Sequence, residues 1–84
     1  MNQSLVSKLA NYEFWLTQGQ KSAQTGCYSE ALSSLKKALE LQPSSCQAWM
    51  CLGRVLTQLD CYEEAIRSFE QATHVYTVEE GSVY

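Results

Sequence analysis

At 84 residues, with 45% apolar and 18% charged side chains, the sequence has the length and composition of one small globular domain. Six Lys and Arg against nine Asp and Glu leave a formal charge of −3 and a pI near 4.9, which excludes the basic footprint of a nucleic-acid binder. One proline and four glycines argue against a loop-rich or turn-rich β fold, and no apolar run approaches the ~18 residues of a membrane-spanning helix.

In chain order, no Gly or Pro interrupts Leu5 to Gln18, so a first helix is expected from near Ser4 to about Gln24. Gly26 breaks it, and Pro43 ends a second helix after Leu41. Ser44 with Gln47 reads as a capping box opening a third helix near Ser45, with Trp49, Leu52, Leu56 and Leu59 on its apolar face. Asp60 stands where a helix N-cap is wanted, with Glu63 three residues on, so a fourth helix is expected from Cys61 or Tyr62. Its face is Ala65, Phe69 and Ala72, Glu63 and Arg67 are spaced as an i,i+4 ion pair, and His74 falls in its last turn. The opening residues have no charged start followed by an apolar stretch, so no secretory signal is expected. Cys27, Cys46, Cys51 and Cys61 are then read as free thiols of a cytoplasmic protein.

The chain also repeats itself. A shift of 34 residues lays Trp15 on Trp49, Gly19 on Gly53, Gln24 on Gln58, Cys27 on Cys61 and Tyr28 on Tyr62. It then lays Glu30 on Glu64, Ala31 on Ala65, Ser34 on Ser68 and Ala38 on Ala72, nine identities in 31 pairs where average usage gives about two. Gly19 and Gly53 are expected to face Ala31 and Ala65, small against small, since a glycine inside a helix costs ~1 kcal/mol unless packing uses it.

Trp49-Met50-Cys51-Leu52-Gly53, Tyr62-Glu63-Glu64-Ala65, Phe69 and Ala72, with their counterparts Trp15, Gly19, Tyr28, Ala31, Leu35, Ala38 and Pro43, resemble the tetratricopeptide repeat family over roughly residues 12 to 77. Gln18 and Ser22 depart from the apolar residues of that pattern and suit an outer, wetted helix; Thr77 replaces the closing proline. The resemblance implies an all-α fold of two tandem helix-turn-helix repeats, a short α-solenoid forming a single domain over 1–84. Repeat 1 is placed at about 12–45, repeat 2 at about 46–79 and a tail at 80–84.

Catalytic and metal chemistry find little footing. His74 is the sole histidine, and the cysteines lie well before it in fold order; a surface histidine is the expectation. Cysteine spacings of 19, 5 and 10 lack the close pairs of a zinc site, and the glycines are scattered singly, so neither metal nor cofactor is expected. Binding remains. In the architecture the resemblance implies, the first helix of each unit lines a concave groove for a protein segment: Glu13, Leu16, Gln20 and Gln24 in the first unit, Gln47, Met50, Arg54 and Gln58 in the second. Met50 and Arg54 are its best anchors, with Leu16 the other apolar contact. Relatives that bind the acidic tails of heat-shock chaperones carry a Lys/Asn clamp, whereas the matching positions here are Leu16, Gln20, Met50, Cys51 and Arg54.

The same architecture covers each second helix with the next first helix, and residues 75–84 are too few to supply one. Ile66, Phe69, Thr73 and Tyr76, spaced i, i+3, i+7 and i+10, are therefore expected to form a C-terminal contact ridge, unless the tail folds back over it. The function expected is a non-enzymatic protein–protein interaction module, an adaptor or assembly factor of chaperone type. The alternative is a structural subunit that self-associates, as a homodimer for example, or sits in a larger complex with an inactive groove. No nucleic acid or membrane insertion is expected.

Overall fold

A computed structural model describes the backbone of residues 2–79 and the side chains of residues 7–75. Its described residues form four helices and no strand: α1 (Asn2–Gln24), α2 (Tyr28–Leu41), α3 (Cys46–Gln58) and α4 (Tyr62–Glu79). Each helix packs on the next, and α1 also touches α3, which is the order of two stacked helical hairpins. Leu16, Ala31, Leu35, Ala38, Leu39, Ala48, Leu52, Val55, Leu56 and Ala65 form one core between them.

Both hairpins turn by the same device. In the first, Gly26 adopts φ +86°, its N–H donates to the Ala23 carbonyl, and Cys27 N–H donates to the Ser22 carbonyl. In the second, Asp60 adopts φ +64°, its N–H donates to Thr57, and Cys61 N–H donates to Leu56. This pair of bonds closes a helix C-terminus around one left-handed residue. Asp60 is therefore a terminator of α3 and not the N-cap of α4 that the spacing to Glu63 suggested. Its carboxylate accepts a hydrogen bond from the Tyr62 hydroxyl at 2.8 Å, and that bond with the Asp60 charge raises the phenol above its usual value of 10.0. The bond holds the phenol protonated to higher pH, and its contribution is lost as pH rises through the phenol's raised folded titration.

Left-handed backbone costs an ordinary residue about 1–2 kcal/mol and glycine almost nothing. Gly26→Ala is accordingly expected to destabilise by about 1 kcal/mol in a urea titration. Asp60→Gly is expected to stay within about 1 kcal/mol of wild type, because relief of strain is offset by the lost Tyr62 bond and a looser unfolded chain.

Three further expectations shift. The N-cap of α3 is Ser45, whose hydroxyl accepts from Ala48 N–H at 3.1 Å, so the cap sits one residue later than the Ser44–Gln47 box. His74 lies within α4 and not in its last turn, because the helix continues to Glu79. Glu63 and Arg67 form no ion pair among the described residues. Solvent screening leaves such an exposed pair little to gain against side-chain entropy.

Gly19 and Gly53 do serve close packing, but against large residues. A Cβ on Gly19 would lie 2.7 Å from Leu35 Cγ, and one on Gly53 would lie 2.8 Å from the Phe69 ring. The notch in the first helix of each hairpin thus receives the bulky knob of the second. Ala31 and Ala65, buried beside those knobs one turn earlier, leave room for them.

Candidate functional site

The stacked hairpins leave a cleft of about 680 Å³ on the side formed by α1 and α3. Gln20, Ala23 and Gln24 of α1 line one wall, Cys51, Arg54 and Gln58 of α3 the other, and Tyr28 and Phe69 contribute aromatic surface. The walls are held in register from inside: the Tyr12 and Ser45 hydroxyls share a hydrogen bond, and Gln20 Nε2 donates to Cys51 Sγ at 3.8 Å. Arg54 is the one charged side chain of the lining and forms no ion pair among the described residues.

Of the eight groove residues read from the sequence, Gln20, Gln24, Arg54 and Gln58 come together in this cleft. Glu13 and Gln47 are exposed on the same helices outside its lining, and so is Met50, 47% exposed, one turn before Arg54. Leu16 must be corrected. It is 8% exposed and belongs to the core, so it is no apolar contact for a partner. Leu16 and Met50 are equivalent by the 34-residue shift; the hairpin of α1 is followed in the stack by that of α3, whereas among the described residues no third hairpin follows that of α3. Tyr28 and Phe69 were missed as wall residues, and Cys51 was named only as a clamp position. Their 34-residue matches marked Tyr28 and Phe69 as packing residues, and only the hairpin stacking exposes one edge of each.

On α4, Ile66, Phe69 and Thr73 gather with Glu70 and His74 around a shallow depression of about 450 Å³, which adjoins the cleft at Phe69. Ile66 is 56% exposed, while Phe69 is half-buried because its ring also covers Gly53. The Tyr76 side chain and the tail at 80–84 lie outside the described residues. Cys27 and Cys61 are exposed, Cys46 and Cys51 half-buried, all with free thiols. Among the described residues no three His, Cys, Asp or Glu side chains gather as metal ligands.

Two protein-family models described as tetratricopeptide repeat match this sequence, one over residues 12–45 and one over residues 34–67. The first runs from mid-α1 through α2; the second joins the end of α2 to α3 and the start of α4. Together with four helices in two stacked hairpins, they decide the matter. The chain belongs to the tetratricopeptide repeat family. No curated protein matched it. Tetratricopeptide repeats generally mediate protein–protein interaction, and the family is typically non-enzymatic. No helix among the described residues is long and apolar enough to cross a membrane.

Proposed function

We propose that this chain is a non-enzymatic adaptor, which docks a segment of another protein in the cleft between α1 and α3. The observation that carries the reading is the lining itself: three glutamines and one unpaired arginine over aromatic floor edges, in a cleft of about 680 Å³. Side-chain amides donate and accept at once, so Gln20, Gln24 and Gln58 suit the backbone of a bound segment whatever its side chains. Arg54 adds one charge-assisted contact, and Met50 extends the same line with an adaptable apolar side chain. The cytoplasm, where thiols stay reduced, is the compartment that suits four free cysteines.

Affinity capture from native lysate with wild type and variants tests this. Arg54→Ala and Met50→Ala are each expected to weaken the captured partner by about 1–2 kcal/mol at unchanged helicity. A peptide ending in EEVD is expected not to bind at micromolar concentration, since one guanidinium replaces a full clamp. If both substitutions leave recovery untouched, the cleft is not the site. A second reading, a structural subunit that self-associates or sits in a larger complex, is favoured by the exposure of Ile66 on α4.

A further inference from the structure

We propose that the outer face of α4 receives α1 of a second copy of this chain, head to tail, as α2 receives α3 within one copy. The internal seam is the template. Gly53 of α3 faces Phe69 of α4, and Ala48, Leu52 and Val55 lie about 100–160° around the helix from it, toward α2. Those three are buried in one cluster with Leu35 and Leu39 of α2, and Leu32 packs against that cluster.

The 34-residue shift transfers both halves of this seam to the outer faces of α1 and α4. Ala48, Leu52 and Val55 become Phe14, Gln18 and Lys21 of α1, all exposed. Leu32, Leu35 and Leu39 become Ile66, Phe69 and Thr73 of α4, the rim of the shallow depression. Ala48 and Val55 are 0% and 2% exposed inside the chain, whereas Phe14 is 54% exposed and Ile66 is 56% exposed. Phe14 is also pre-set, its ring meeting Trp15 edge to face at 5.0 Å. Both partners of an interface the chain already builds once are therefore presented again, one on α1 and one on α4.

Charge selects α1 as the occupant. Counting outward from the short turn between α2 and α3 sets Leu39 against Ala48 and Leu32 against Val55. Carried over, Phe14 of the incoming copy rests on Thr73 and Lys21 rests on Ile66. Glu63 and Glu70 stand one turn to either side of Ile66, exposed and in no ion pair among the described residues. The incoming Lys21 thus arrives between two carboxylates. A second α4 would bring Glu63, Glu64 and Glu70 against their own kind, with Arg67 as its one counter-charge. Gln18 over Phe69 makes this seam more polar than the internal one, so association depends on concentration. Since head and tail differ, each added copy leaves one of each open, and growth does not stop at two.

Sedimentation velocity across micromolar to millimolar concentrations tests the proposal. The wild-type mass is expected to rise steadily with concentration and to fall with added salt. Ile66→Glu blocks the tail and Phe14→Glu blocks the head, so each variant alone is expected to remain monomeric with wild-type helicity. Their equimolar mixture is expected to give a one-to-one dimer, because each keeps the end the other lacks. Lys21→Glu, a surface charge change that spares the fold, is expected to weaken association roughly tenfold, and Glu63→Lys with Glu70→Lys to restore it. A wild type that stays monomeric throughout overturns the proposal. So does a dimer that ignores Phe14→Glu and Lys21→Glu, or a mixture of blocked variants that fails to pair.

Discussion

Replacing Trp49 by alanine is expected to destabilise the fold by about 3–5 kcal/mol, enough to leave much of so small a domain unfolded at 37 °C. The ring is half-buried against the core, and its Nε1–H donates to the Pro43 carbonyl at 2.8 Å. That bond ties α3 to the turn through which it leaves α2, so the side chain fixes the angle between hairpins as well as filling volume. Trp49→Phe separates the two roles: it keeps most of the apolar area, loses the bond, and is expected to cost nearer 1 kcal/mol plus the volume difference. Urea unfolding followed by circular dichroism reads both. A Trp49→Ala protein as stable as wild type would mean that the seam between hairpins contributes little.

Leu35→Ala is expected to cost about 2–5 kcal/mol, since Leu35 is wholly buried and its loss leaves a cavity in the notch of Gly19. The informative measurement is its coupling to Gly19. Alone, Gly19→Ala places a methyl 2.7 Å from Leu35 Cγ, an overpacking that typically costs about 1–3 kcal/mol against a helix-propensity gain of ~1 kcal/mol. With Leu35 already cut to alanine, the added methyl has room, and Gly19→Ala should become neutral or stabilising. The double variant is then more stable than the sum of the singles, by about 1–3 kcal/mol. Simple additivity in a urea titration of the four proteins would contradict the notch-and-knob arrangement. At Gly53 the same substitution is expected to cost less, because the half-buried Phe69 ring can swing outward where Leu35 cannot.

Much of this fold was legible in the residues. The 34-residue self-match, the breaks at Gly26 and Pro43 and the apolar spacing of α3 located all four helices to within two residues where boundaries were stated. They could do so because helix starts, stops and faces depend on bonds and contacts within a few residues along the chain. The left-handed turn at Asp60 was hidden for a related reason. Aspartate also favours N-caps, and only the observed φ and the Cys61 to Leu56 bond tell the two roles apart.

By itself the sequence determined that the protein is a tandem pair of helical hairpins, that its surface is acidic, and that Gln20, Gln24, Arg54 and Gln58 share one side. Tertiary structure alone decided that Leu16 is core while its repeat partner Met50 is exposed, that the two glycines receive Leu35 and Phe69, and that Tyr28 and Phe69 enter the cleft. Local rules treat equivalent positions alike, because they see the helix a residue belongs to. Burial depends on which other helix lies against that position, and in a short stack the two ends have different neighbours from the middle.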